Sequence, residues 1–359
     1  MNTIPRLEPG YRTWRVRGRW VSFQHPVRLI AVSSALLLIA VAVALLAICV
    51  GDLPLRIGDV IAAITGTGSE FERMVVIEWR LPIALAAVVF GALLGIGGAI
   101  FQSLTRNPLG SPDVIGFDAG SYTAVVIVIL VLGRGDSLSL AAASLVGGVV
   151  TALIVYLLSY RRGIHGFRLI VIGIGVSAML GSVNTYLVTR AEITDAMMVG
   201  FWGAGSISRI TWTTMGPSLG FAVVIVLLAA LLAPALRRLE LGDDAATTLG
   251  ARVNLERVAL LVVGVATTSL VTAAAGPIGF IALAAPQLAR RLTRSAGVSM
   301  LAAAAMGAAL LACAHLLSLL FAQLFRPVPV GLITVSLGGI YLIWLLVREA
   351  RRHYGGATL

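Results

Sequence analysis

Uncharged apolar runs recur along the whole chain, most of them about twenty residues long, and short polar stretches between them collect most of the arginines. Coiled as a helix rising about 1.5 Å per residue, such a run crosses the roughly 30 Å hydrocarbon core of a bilayer. The pattern predicts ten membrane-spanning helices, near 28–50, 81–104, 113–133, 139–160, 168–189, 214–236, 256–275, 280–293, 299–322 and 331–348. The run from Leu81 to Leu104 is the clearest, with no charge and a helical length of about 36 Å. Thr105-Arg106-Asn107-Pro108 ends it, because the residue before a proline is pushed out of the helical region.

One polar stretch predicts an element of its own. Between the sixth and seventh spans, Leu241-Gly242-Asp243-Asp244-Ala245-Ala246-Thr247-Thr248-Leu249-Gly250 starts as an Asp-capped, Ala-rich short helix and stops at a glycine. Such a helix either tucks into the membrane interface or docks into a soluble partner. Its polar length and lack of bulky anchors favour docking.

Composition leaves no room for a separate soluble domain. Hydrophobic residues make up 58% and charged residues 12%, against about 25% charged in soluble domains, and mean hydropathy is +0.98. The fold class expected is therefore an all-α polytopic membrane protein. It divides into a basic N-terminal segment, 1–27, a ten-helix transmembrane domain, 28–350, with the short helix near 240–252, and a tail, 351–359. The first apolar run, Leu29 to Val50, exceeds the roughly 7–15 residues of a signal-peptide core and is retained as a span.

The net charge of +11 comes from 27 basic residues, all of them arginine. Nucleic-acid binding is set aside because their positions follow topology. With the N-terminus cytoplasmic, 20 arginines fall on the cytoplasmic side and 7 outside, namely Arg56, Arg73, Arg80, Arg134, Arg190, Arg209 and Arg326. The positive-inside rule then places both termini in the cytoplasm. Arg6, Arg12, Arg15, Arg17 and Arg19, interleaved with Tyr11, Trp14 and Trp20, are read as the flank of the first span rather than a lipid anchor.

No catalytic set and no metal set is predicted. His25, His165, His315 and His353 are scattered, Cys49 and Cys313 lack ligand spacing, and HExxH, GxSxG and P-loop motifs are absent. Energy for transport would come from an ion gradient or from another subunit. Gradient-driven carriers commonly place ionisable groups at mid-membrane, whereas here intramembrane acids are nearly absent and the candidate, Asp118, lies close to a span end. That favours a pump whose ATPase is a separate chain.

Five ordered motifs carry a resemblance that covers about residues 30 to 350. They are Arg80-Leu81-Pro82; Gln102 with Arg106-Asn107-Pro108-Leu109 and Ser111-Pro112; LGDDAATTLGA; Gly276-Pro277-Ile278-Gly279-Phe280 with Ala285-Pro286-Gln287-Leu288-Ala289-Arg290; and Pro329-Val330-Gly331 with Gly338-Gly339. The chain resembles the FecCD-type, or cobalamin-permease-like, family of ABC importer membrane subunits, which carry ferric siderophores, haem or vitamin B12 across the bacterial inner membrane. Pro286-Gln287-Leu288-Ala289-Arg290-Arg291 is similar to versions in ferric siderophore importers, those of the enterobactin type in particular.

The resemblance implies a type II importer architecture: two ten-helix permeases around one path, two ATPase subunits and an extracytoplasmic siderophore-binding protein. It implies that ATP and Mg act on the ATPase and that this chain binds no cofactor. Gly242, Asp243, Ala245, Leu249 and Gly250 would couple to the ATPase. Asn107, Leu109, Gly166 and Phe167 would form the cytoplasmic gate, and Ser177, Ser182, Asn184 and Thr185 would line the path. Arg80 and Arg326 would face the binding protein, while Gly91, Gly95 and Gly98 are read as packing positions.

Three departures from the family pattern are Ile83 after Arg-Leu-Pro, Gln287 where many relatives have His, and Pro327 beside Arg326 where many have an acid. They favour pairing with a non-identical permease over a homodimer. The expected function is the permease subunit of an ATP-driven ferric siderophore importer. Cobalamin or haem import, an autonomous ion-coupled carrier and a non-transporting scaffold are the alternatives.

Overall fold

A computed structural model describes residues 13–17, 22–51, 53–113, 116–160 and 166–355. Parts of the predicted N-terminal segment, 1–12 and 18–21, and the last four residues of the predicted tail lie outside them. A short antiparallel hairpin, β1 (Thr13–Arg17) and β2 (Ser22–Pro26), leads into α1 (Val27–Cys49). Then follow α2 (Ile57–Thr65), α3 (Glu70–Arg73), a π-helical turn (Met74–Arg80) and α4 (Leu81–Thr105). Next come α5 (Phe117–Leu130), α6 (Ser137–Ser159), α7 (Gly166–Thr189), α8 (Ile193–Gly203) and α9 (Trp212–Glu240). The chain ends with α10 (Asp243–Thr248), α11 (Val253–Ala275), α12 (Ile281–Thr293), α13 (Met300–Leu324) and α14 (Val330–Gly355).

All ten predicted spans fall on helices. Among the described residues, seven helices have the length and apolarity to cross a membrane unaided. Helices α5 and α12, of 14 and 13 residues, and the apolar part of α14, Val330–Tyr341, are shorter. The loops before α5 and α12 lie inside the protein, with Ser111 and Ile278 buried, and Asp113 Oδ2 accepts a hydrogen bond from the Phe280 backbone N–H at 3.2 Å. Non-helical backbone at membrane depth is tolerated only where protein surrounds it in this way. The structure also extends α14 through most of the predicted tail.

Helix α4 is the axis of the molecule. It is apolar on every side, as a helix surrounded by others must be, and α1, α9, α11, α12 and α13 pack around it. Its Gly91 and Gly95 lie against the backbone of α13 at Gly307 and Ala303, and Gly98 against α12 at Ala282. A Cβ at any of the three would overlap a carbonyl oxygen. Small residues let helix backbones approach where lipid provides no hydrophobic drive to association, so the packing role expected of these glycines is realised.

Helices α5, α6 and α7 form a second group, joined to the first mainly through α11. The outward faces of α1, α6 and α9 carry exposed large apolar residues such as Leu38, Leu157 and Leu231. On a soluble protein these would form an aggregation surface; on a multi-pass membrane protein they face lipid.

Candidate functional site

Arginine-bearing helix ends meet at one end of the bundle, among them those of Arg28, Arg106, Arg238 and Arg257. Arg28, at the start of α1, donates through Nε to the carbonyl of Leu292 at the end of α12. The ends of α4 and α9 and the start of α11 converge there around α10. Gly242 and Gly250 flank this helix with φ of 109° and 79°, conformations that glycine adopts without penalty from a Cβ. The hydroxyls of Thr247 and Thr248 fold back onto the carbonyls of Asp243 and Ala245.

Helix α10 is anchored on one side and open on the other. Ala246 is fully buried, whereas Leu249 is 59% exposed and Leu241 65%. The anchor is electrostatic as well. Asp243 Oδ1 accepts from Arg106 Nη2 at 2.6 Å and from Arg257 Nη2 at 2.8 Å. Arg106 is the C-cap of α4, with φ of 50°, and it also donates to the carbonyl of Leu239 at 3.3 Å. Arg257 is buried in α11; a buried cation is retained at low cost only beside a counter-charge with good geometry. Beside this pair, Arg238 and Glu256 form an ion pair at 2.6 Å between α9 and α11. Glu240 Oε1 accepts from Ser103 Oγ at 2.8 Å and from the Val298 N–H at 3.1 Å.

The residues expected at a gate lie at the same end. Asn107 Oδ1 accepts from the Leu109 N–H at 2.9 Å, an Asx turn that directs the chain away from α4. Leu109 is exposed. Gly166, the first residue of α7, abuts the Thr105 backbone so closely that a Cβ would collide with it, and the next residue, Phe167, is 79% exposed. Asn107 and Leu109 thus share the terminal corner of α4 with Gly166 and Phe167, next in sequence to the arginine that holds Asp243.

The α7 residues divide between two faces. Ser182 and Thr185 are exposed, and Ser177 is half-buried beside Gly116. Their hydroxyls bond to the carbonyls of Ala178, Gly181 and Gly173 in their own helix. Asn184 is buried on the opposite side. Gly175 and Gly181, near the exposed pair, have no neighbour within 4 Å of a notional Cβ. The exposed surface of α7 therefore sets Ser182, Thr185 and open glycines among larger apolar side chains such as Ile174, Met179 and Tyr186, and Asn184 is turned away from it.

At the other end of the bundle, Arg80 donates from Nη1 to the Ile48 carbonyl and from Nη2 to the Leu53 carbonyl, each at 2.7 Å. It closes the end of α1 and the loop after it. Arg326 is exposed in the loop between α13 and α14. Sequence reasoning took Arg106 as a motif position and a topological marker, counted Arg257 only as a topological marker, and passed over Glu240 and Ser103. The available signal was a buried-helix arginine with a single short acidic segment nearby to serve it.

A model of the FecCD transport family matches residues 36–348. The ferric enterobactin transport system permease protein FepG of Escherichia coli (strain K12) is 47% identical over 304 residues, covering 84% of this chain and 91% of that protein. The iron(3+)-hydroxamate import system permease protein FhuG of Bacillus subtilis (strain 168) is 31% identical over 333 residues, covering 90% and 97%. In fold, the chain resembles a solved inward-facing metal-chelate type ABC transporter with a TM-score of 0.75 at 22% identity, over 89% of this chain and 99% of that one.

Proposed function

Because the chain belongs to the FecCD transport family, we propose that it is the permease subunit of an ATP-driven importer of ferric siderophores and forms half of the translocation path. The observation that carries the substrate class is the 47% identity to a ferric enterobactin permease across 91% of that protein. The gathering of Arg28, Arg106, Arg238 and Arg257 at one end supports an inner-membrane topology with that end, and both termini, in the cytoplasm.

In this reading two ATPase subunits, which bind ATP and Mg, receive α10 through its open face at Leu241 and Leu249. Their closure displaces α10, and the Asp243–Arg106 link passes that displacement to the end of α4, where Asn107 and Leu109 stand beside Gly166 and Phe167. The exposed face of α7, which carries hydroxyls, glycines and apolar side chains but no charge from Leu169 to Thr189, suits a path that lets a bulky chelate by without holding it, leaving selectivity to an extracytoplasmic binding protein. A second, non-identical permease completes the path.

Reconstitution tests this. Proteoliposomes holding this chain with its partner permease and ATPase should accumulate a radioiron-labelled catecholate siderophore only with ATP and binding protein present. Accumulation without an ATPase, or of haem or cobalamin in preference to the siderophore, would overturn the proposal.

A further inference from the structure

Helices α6 and α9 both pack on α11, and between them runs a lateral groove of about 1540 Å³. Leu145 and Val149 of α6 form one wall, Phe221 of α9 the other, and Val262 of α11 lies in the floor. The groove extends along α6 from Ser137 to Tyr156, about 28 Å at helical rise and deeper than one bilayer leaflet. Its polar groups gather at one mouth, where Ser208, Arg209, Thr213 and Gln323 stand. Arg209 is exposed and enters no ion pair among the described residues, and none of the described residues lining the groove is acidic.

We propose that this groove is a binding site for one anionic phospholipid, whose acyl chains lie between α6 and α9 and whose phosphate is held by Arg209 with the hydroxyls of Ser208 and Thr213. The apolar walls open sideways from membrane-spanning helices, so the medium they meet is hydrocarbon, and flexible acyl chains can fill a groove of this length and lining. Charge decides the headgroup: a cation at the mouth that enters no ion pair among the described residues, in a groove with no acidic lining residue, favours a net negative lipid over a zwitterionic one. A lipid seated there braces α6 against α9 across α11, the helix that also carries Arg257 of the α10 anchor. The proposal depends on this geometry and not on which chelate is carried.

The test places a photo-reactive amino acid at Leu145 in the assembled transporter, held in vesicles of equal phosphatidylglycerol and phosphatidylcholine, and weighs the adducts by mass spectrometry. Phosphatidylglycerol adducts should exceed phosphatidylcholine adducts by roughly fivefold, the worth of one basic residue near a headgroup. Arg209→Gln should bring the ratio close to one while Arg209→Lys keeps it, and Ala142→Trp, which projects into the groove, should reduce adducts of both lipids. Equal capture by the unaltered protein, a ratio indifferent to Arg209→Gln, or crosslinking to a second polypeptide instead of lipid would overturn the assignment.

Discussion

Asp243 Oδ1 sits 2.6 Å from Arg106 Nη2, so a six-residue surface helix is tied directly to the C-cap of the most enclosed helix in the molecule. Both side chains are half exposed, and an ion pair in that setting adds at most about 1 kcal/mol to stability. Its importance is therefore positional. Arg106→Gln should leave thermal stability of the purified complex within about 1 kcal/mol of the parent while ATP-dependent uptake falls and ATP hydrolysis continues. Uptake and hydrolysis measured on the same proteoliposomes check this; an equal fall in both would point to lost assembly instead.

Leu249 stands at the open end of α10, and at 59% exposed its side chain contributes little to the chain's own packing. Leu249→Arg should leave the permease folded yet weaken ATPase docking by the roughly 1–3 kcal/mol typical of an apolar anchor at an interface centre, about 5- to 150-fold in affinity. Co-purification of the ATPase at graded salt, alongside uptake, gives the measurement. A mutant that retains its ATPase and transports normally would remove α10 from the coupling role.

The ten spans were legible in the sequence because lipid imposes a simple rule, a run of apolar residues long enough to cross. The smaller helices α2 and α8 and the π-helical turn before α4 were not, since short amphipathic pieces with charges resemble loops by that rule; Asp59 within α2 is an instance. The short α10 was legible from its Asp start and glycine stop. What the sequence could not convey was the long-range pairing at this end. Arg106 and Asp243 are 137 positions apart, and nothing local in either segment selects the other. The same holds for α7: its small polar composition was plain, but only the fold shows that Ser182 and Thr185 face outward while Asn184 turns into the protein.

Close backbone contact between α4 and its neighbours makes a sharp stability prediction. Gly98→Ala puts a methyl against the Ala282 carbonyl, and Gly95→Ala puts one against the Ala303 carbonyl. Each should destabilise the protein by about 1–3 kcal/mol, as overpacking does in dense cores. Gly175→Ala, whose methyl meets open space within the chain, should cost the isolated permease nothing measurable. Thermal unfolding followed by fluorescence-detected size exclusion separates the cases, and equal melting of Gly98→Ala and Gly175→Ala would contradict the close approach of α4 to α12.

Gln102 and Gln287 make the last prediction. Gln102 is buried in α4; its Nε2 donates to the Leu283 carbonyl at 2.9 Å, and its Oε1 accepts from Gln287 Nε2 at 2.6 Å. The two side chains thereby lock α4 to α12 beside the Gly98 crossing. Gln102→Leu removes both bonds at once and takes a buried carbonyl's donor away, which should destabilise the chain by about 1–3 kcal/mol. Gln287→His can still present an N–H to Gln102 Oε1 and should recover most of the stability that Gln287→Ala loses. Melting temperatures of the four proteins, parent included, test the pair. Should Gln287→His melt no higher than Gln287→Ala, the hydrogen bond to Gln102 is not what position 287 supplies.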